Sequence, residues 1–206
     1  MTRARRGPAS QDPRTRDALL RAAAQIMVEE GYAAATSRRV AARAGVKPSL
    51  VHYYFPTMDD LFLRLFRDRA EAALRRQRQA LASDEPLQAL WDLSRDPDGT
   101  ALIAEFAAFA NHRKAIRAEL AAHTERSRQI QVEALSRLLR EHGVDTQTLP
   151  PAAAAFLLQS VSTLLVLESQ LGLTTGHAEA AALIDRFLRH LKATETPGAV
   201  PPLPDE

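Results

Sequence analysis

Between Thr36 and Thr57 the chain gathers the residue types that meet a polyanion: Ser37, Arg38, Lys47, Ser49, His52, Tyr53 and Thr57. Hydroxyls and cations of this kind can donate to phosphate oxygens, and a subset on one helical face can reach base edges. Lys47, Ser49, His52 and Tyr53 are candidates to point outward together, with Leu50 at the boundary of that face. No comparable grouping supports catalysis. The sequence has no HExxH, no GxSxG and no Walker loop. Its six histidines include no i, i+4 pair to scaffold zinc, and no repeated Glu-x-x-His suggests a diiron bundle. With no cysteine there is no disulfide framework, thiolate metal site or cysteine nucleophile. The expectation is a protein that is not an enzyme and has no catalytic residue, metal or cofactor.

Those donors need a rigid carrier, and the stretch TSRRVAARAGVKPSLVHYYF (36–55) reads as one. Val40, Ala41 and Ala44 recur at helical spacing, and Gly45 then breaks the pattern where a helix end needs positive φ. Val46 is the apolar residue placed to tuck under the turn. Lys47, Pro48 and Ser49 open a second piece, because proline fits a first helical turn whose N–H has no partner anyway. Leu50, Val51, Tyr54 and Phe55 give that piece an inner face. In a helix–turn–helix the second helix enters the DNA major groove with its N-terminal residues at the base edges. An ordinary helical hairpin has the same period, so spacing alone leaves both readings open.

Charge favours the first. Residues 1–56 carry ten Lys and Arg against four acids, a net of +6, whereas the rest carries seventeen against twenty-one, a net of −4. A basic head on an acidic body suits a polyanion bound at one end. A solvated face gives the same count. The 206 residues suffice for one or two domains with a real core, and abundant alanine with sparse aromatics favours packed helices over sheet. There is no unbroken run of 18 apolar residues and no signal-peptide pattern, so the expected location is the cytoplasm, without membrane contact.

Residues 1–12 are expected to be a disordered basic arm, in which Arg3, Arg5 and Arg6 either follow a minor groove or phosphates, or merely solubilise the chain. Residues 13–57 form the expected helix-turn-helix domain, 58–194 a helical body, and 195–206 a disordered tail. Periodicity predicts about nine helices. The first runs from about Arg14 to Glu30, with Gly31 ending it, and the second starts at Thr36 or Ser37, either of which can cap it. The third is Pro48 to Tyr54, and the fourth runs from about Met58 to Leu81, opened by a capping box of Thr57 and Asp60. Its length makes it a link between head and body. A short fifth helix carries Leu87, Leu90, Trp91 and Leu93; Arg95 to Thr100 reads as a turn, and a sixth helix runs from Ala101 to His112. A seventh spans about Lys114 to Glu141, an eighth starts at Leu149 to Pro151 and reaches Leu171, and a ninth covers His177 to Ala193.

The whole chain resembles the TetR family of one-component bacterial transcriptional regulators. The run T36-S37-R38-R39-V40-A41-A42-R43-A44-G45-V46, followed by V51-H52-Y53-Y54-F55-P56, carries most of the resemblance, and the body matches only in helix count, length and order. The resemblance implies an all-α homodimer: a three-helix DNA-binding head, a ligand pocket inside helices five to eight, and dimerisation through helices eight and nine. It puts Ser37 and Arg38 at the groove edge and Pro48, Ser49 and Leu50 at the base-facing start of the recognition helix, where Leu50 can touch a thymine methyl. His52, Tyr53 and Tyr54 fall on the aromatic cluster that fixes the helix against the DNA backbone. Lys47 stands where the family usually has a small polar residue or an acid. Met58 stands where it commonly has a phosphate-binding lysine, which leaves the Thr57 hydroxyl and helix amides for that contact, with Arg38, Arg43 and Lys47 to compensate. His52 replaces a more usual tyrosine; a histidine there would make operator binding sensitive to mild acid, with packing or a phosphate contact as the competing role.

In the body, Trp91, Phe106, Phe109, Asn111, His112, His123, Gln159 and Thr163 are the expected ligand-binding residues, apolar bulk with a few polar groups. The eighth helix is apolar nearly all round from Phe156 to Leu167, which one core cannot use up. The expected dimer interface comprises Phe156, Val161, Leu164, Leu167, Glu168, Leu171, Ile184, Phe187, Leu188 and Leu191. The reading is a cytoplasmic, nucleoid-associated homodimeric repressor, released from a palindromic double-stranded DNA operator by a small hydrophobic ligand. The alternative is an architectural or protein-binding helical dimer with no small-molecule input.

Overall fold

The computed structural model describes residues 12–193. The arm up to residue 11, the tail from 195 and the side chain of Leu191 lie outside the described residues. Among those described there are nine α-helices and no strand: α1 (Pro13–Glu30), α2 (Ser37–Arg43), α3 (Pro48–Tyr54), α4 (Met58–Leu81), α5 (Pro86–Ser94), α6 (Pro97–Ala110), α7 (Lys114–Glu141), α8 (Pro151–Gln170) and α9 (His177–Ala193). The described residues are all-α, with an N-terminal helix-turn-helix head and further helices after it.

One boundary differs from the expectation. Residues Arg95 to Thr100 do not form a free turn; α6 starts at Pro97. The Asp96 carbonyl accepts the first helical bond, from the Thr100 N–H at 3.1 Å, and Pro97 occupies the first helical position, where it loses no bond. A D-P-D-G string is thus compatible with a first helical turn as well as with a reverse turn, and the local sequence does not separate them.

The residues cluster into two compact units, one built from 12–73 and 101–123, the other from 74–100 and 124–193. Helices α4, α6 and α7 each supply residues to both units. The cause lies in the core of the first unit. Leu19, Ile26 and Met27 of α1 are fully covered, and their cluster includes not only Val40 and Val51 but Phe66 of α4 and Phe106 and Ile116 beyond it. Two seven-residue helices offer too little apolar surface to cover α1. Aromatics supply the remainder: Phe106 meets Phe66 edge-on at 5.0 Å, and Phe109 meets Phe62 at 5.0 Å and Tyr32 at 5.3 Å.

Polar contacts fix the same unit. Glu105 on α6 accepts the main-chain N–H of Tyr32 at 2.7 Å, just after Gly31 ends α1 at φ +83°. Arg113 pairs with Asp59 at 2.9 Å, and Arg67 with Glu119 at 3.0 Å.

The second unit has its own core of Leu135, Ala154 and Ala155, packed by Leu87, Val132 and Leu149. Gln77 is buried and exchanges two hydrogen bonds with Ser127, donating to its carbonyl at 3.0 Å and accepting from its hydroxyl at 3.2 Å. Between α8 and α9, His177 meets Glu168 at 2.8 Å. Helix α8 buries Ala154, Ala155, Ser162 and Val166 and leaves Phe156, Leu157 and Leu164 exposed. By length and composition it could cross a membrane, although Gln159, Thr163 and Glu168 interrupt it; 22% of that stretch is buried.

Candidate nucleic-acid interface

The turn between α2 and α3 closes by backbone chemistry alone. The Gly45 N–H bonds the Ala42 carbonyl at 3.2 Å and the Val46 N–H bonds the Ala41 carbonyl at 3.0 Å, the paired bonds of a glycine-stopped helix. Gly45 takes φ +68°, and Val46 packs against the head core, as the sequence required. Thr36, not Ser37, caps α2, accepting the Arg39 N–H. Ser37 is left half-buried at the first helical position, with its hydroxyl uncommitted to the cap.

Helix α3 is held from below by Val51, which is fully buried, and by Phe55, whose N–H bonds the Val51 carbonyl at 2.8 Å. Its other side faces solvent. Lys47, Pro48, Ser49, His52 and Tyr53 are exposed and Leu50 is half-buried. Tyr53 is 49% exposed although its ring stands edge-on against Tyr54 at 5.2 Å. A large aromatic kept half in water on a seven-residue helix is an anchor offered outward. Lys47 precedes α3 without a side-chain cap bond, so its ammonium is not spent on the helix.

Two expected contributors are occupied. The Tyr54 hydroxyl accepts the main-chain N–H of Asp12 at 2.9 Å, so this half-buried residue ties α3 to the start of α1. Thr57 closes the capping box with Asp60: its hydroxyl donates to the carboxylate at 2.7 Å and accepts the Asp60 N–H at 3.1 Å. Its only hydroxyl proton is therefore engaged within the protein. Arg43, one of the cations expected to compensate for Met58, pairs with Glu29 at 2.8 Å and Glu30 at 3.5 Å, and Arg39 also pairs with Glu30. These pairs brace α2 against α1. Arg38 is exposed and has no ion pair among the described residues. The uncommitted cations beside α3 are thus Arg38 and Lys47. The glutamates of α1 that neutralise Arg39 and Arg43 were visible in the sequence, but their pairing depends on the angle between α1 and α2.

The expected ligand residues are divided between the two units. Phe106, Phe109 and His123 lie buried in the first unit, where Phe109 and Phe106 make the ring contacts described above and His123 meets Phe66 edge-on at 5.8 Å. Asn111 and His112 are exposed between α6 and α7. Trp91 and Gln159 share a cavity of about 30 Å³ in the second unit, with Leu87, Ser94, Gln131 and Leu158 among its walls. That volume admits about one water. The Trp91 ring is buried and its indole N–H has no acceptor among the described residues. Gln159 donates to the Thr163 hydroxyl at 3.0 Å, and Thr163 opens instead on a shallow groove of about 370 Å³ along α8, with Phe156, Leu164 and Leu167. The α6 aromatics Phe106 and Phe109 enter the core of the first unit.

The expected interface residues divide by exposure instead. Phe156, Leu164, Leu171 and Phe187 are exposed, Leu171 by 76%, and Val161, Leu167 and Ile184 are half-buried. Leu188 is buried inside its own unit, and Glu168 is bonded to His177. No group of acidic, histidine or cysteine side chains among the described residues could hold a metal ion.

Residues 19–65 match the family model described as "Bacterial regulatory proteins, tetR family". No curated protein matches the chain. Solved structures with the same fold include a transcriptional regulator from Saccharomonospora viridis in complex with choline, at TM-score 0.72 and 20% identity over 88% of this chain and 95% of that one. A TetR-family transcriptional regulator from Rhodococcus sp. aligns at TM-score 0.64 and 19% identity, covering 90% of this chain and 100% of that one. The fatty acid degradation regulator FadR from Bacillus halodurans aligns at 0.65 and 21%, covering 88% and 96%.

Proposed function

We propose, on the match of residues 19–65 to the tetR family model, that the chain is a TetR-family regulator and a homodimeric repressor of transcription. Two copies present α3 to successive major grooves of a near-palindromic operator, about 34–36 Å apart. Repression follows from occupancy of the site. The observation that carries the reading is the outward face of α3, where Ser49, His52 and Tyr53 stay exposed over a fully buried Val51. Dimerisation is supported by the apolar side chains that α8 and α9 leave in water, Phe156, Leu164 and Phe187 above all. A second copy covers them without requiring a membrane. The protein acts in the cytoplasm, on the nucleoid.

Release by a small hydrophobic ligand is the finer part of the reading. Its support is the unpartnered indole N–H of Trp91 beside the cavity between α5, α7 and α8. A molecule carrying one hydrogen-bond acceptor on an apolar body would satisfy it. The S. viridis regulator bound choline, and the B. halodurans protein governs fatty acid degradation; both are consistent with organic ligands in this fold. A volume of about 30 Å³ does not hold such a molecule, so entry requires the helices that line the cavity to move apart. The ligand would then favour a spacing of the heads that no longer fits, passed along α4 and α6, with a coupling of about 1–3 kcal/mol. The small cavity also favours a second reading, a DNA-binding dimer with no ligand input. The experiment is selection of duplexes from a randomised library, followed by binding of the selected DNA. Sequence-dependent, saturable binding weakened by Tyr53→Ala supports the reading. Failure to enrich any duplex refutes it.

A further inference from the structure

The second unit holds a larger cavity than the one beside Trp91. It is open, measures about 270 Å³, and lies where the start of α5, the end of α7 and the end of α9 meet. All its walls come from residues of that unit. Its apolar surface is supplied by Leu87, Leu138 and Leu188, the last of them buried. Leu87 also lines the 30 Å³ cavity, so its side chain stands between the two. The charges around the larger one are unequal. Asp84, Glu85 and Glu141 set three carboxylates against the guanidinium of Arg189, and the carboxylates prevail even with the His142 imidazole counted as positive. Glu141 is the last residue of α7, where the helix dipole adds negative potential to its own charge. Asp84 and Glu141 are exposed and have no ion pair among the described residues. The Nδ1 of His142 donates to the Leu138 carbonyl at 2.6 Å, so that donor is spent on α7. On α9, three residues before Leu188, the buried Oδ1 of Asp185 finds no hydrogen-bond donor among the described residues. Negative charge is thus in excess where these three helices meet.

We infer that this cavity is a binding site for a small organic cation, an ammonium group on a compact hydrocarbon body. The hydrocarbon lies against Leu87, Leu138 and Leu188, and the ammonium meets Asp84 and Glu141. The site is distinct from the cavity beside Trp91 and does not depend on the DNA-binding reading of α3. Its size sits at the lower end of small-molecule sites, which run to about 300–1,000 Å³. Charge and surface together select the occupant. An anion would face the carboxylates, and a neutral apolar molecule would leave their potential unanswered. A bare metal ion would leave the three leucines unused, and no group of side chains among the described residues could hold one. An occupant joins the start of α5 to α7 and α9, and binding to the folded chain alone stabilises it by mass action. Because Leu87 is shared, the same occupant fixes one wall of the smaller cavity.

The test uses the full chain and three probes built on one ring: cyclohexylmethylamine, which is protonated at pH 7, the neutral cyclohexylmethanol, and cyclohexanecarboxylate. Isothermal titration calorimetry reads affinity and stoichiometry, and thermal melts read stabilisation. The expected result is saturable binding of one amine per chain, weaker binding of the alcohol and the carboxylate, and a melting temperature raised by the amine. Asp84→Asn/Glu141→Gln should weaken amine binding about tenfold, as the loss of two partly exposed charge pairs would, with the ligand-free melt as the folding control. Glu133→Gln, at an exposed acid of the same unit outside the cavity, should leave amine affinity unchanged. No saturable binding of the amine overturns the inference, and so does equal affinity for the three probes. Full amine affinity in the double variant, or an equal loss in Glu133→Gln, overturns it by placing the cation elsewhere. The duplex selection is read without any probe, so its failure and the failure of this site are separate results.

Discussion

At the residue scale the interface is defined by which side chains around α3 stay exposed to water. Ser49 and Tyr53 stand on the solvent side of α3, and Arg38 at the start of α2 has no ion pair among the described residues. Tyr53→Ala and Ser49→Ala should each weaken specific binding by about 1–3 kcal/mol and leave the melting temperature unchanged. Arg38→Ala should act on all sequences alike and reduce the salt slope by about 0.9, as one phosphate contact would. Arg43→Ala should behave differently. Its side chain spans two α1 glutamates at a partly exposed site, so its loss should cost about 0–1 kcal/mol of stability and leave the salt slope unaltered. Gel shifts at several salt concentrations, with thermal melts, separate these cases. The exposed face of α3 was legible in the sequence because its period is local. The loss of Arg43, Tyr54 and Thr57 to internal partners was less so. Asp60 lies three residues from Thr57 and could be seen; Glu29 and Asp12 lie 14 and 42 residues from their partners, and only tertiary packing joins them.

At the element scale the decisive feature is that the head is not closed by its own three helices. The α6 aromatics complete the core over α1, and Glu105 takes the backbone N–H that follows Gly31. Glu105→Ala removes the carboxylate that accepts that part-buried N–H and should destabilise the chain by about 1–3 kcal/mol, whereas Glu105→Gln should keep most of the stability because its side chain can still accept. Phe106→Ala should cost about 3–5 kcal/mol, since that ring is fully buried against Phe66. Urea unfolding measures both. In the loop before α8, the Gln147 N–H and then the Thr148 hydroxyl hold the Asp145 carboxyl below the usual aspartate range. A depressed carboxyl stabilises the fold above its unfolded value, near pH 4, and that contribution disappears as the pH falls through the folded value. Asp145→Asn should therefore lower the melting temperature slightly at pH 6 and lose its difference from the parent chain at strongly acid pH. Periodicity placed α3, α4, α7 and α9 at their observed bounds. It could not place the start of α6, because Asp96 and Pro97 suit a turn and a helix start equally, nor tell that Phe106 and Phe109 are buried in the core over α1.

At the scale of the whole molecule, the account joins a basic reading head to an apolar face that one copy leaves uncovered. Phe156 at 52% and Leu164 at 55% exposure are too large an apolar surface to leave in water on one helix without a partner. Sedimentation should give a dimer, and Leu164→Glu with Phe187→Glu should give a folded monomer whose DNA affinity falls by far more than either head mutation causes. The composition of α8 announced this surface, but which of its residues face out was set by the packing of Ala154, Ala155 and Val166, and Leu188 proved to be internal. The most direct measurement is a hydroxyl-radical footprint on the selected duplex, with the stoichiometry read in the same sample. The account predicts two chains and two protected half-sites with centres about 34–36 Å apart, both lost together in the Ser49→Ala/Tyr53→Ala variant. A single protected patch with one chain bound, or protection that survives in that variant, would contradict it.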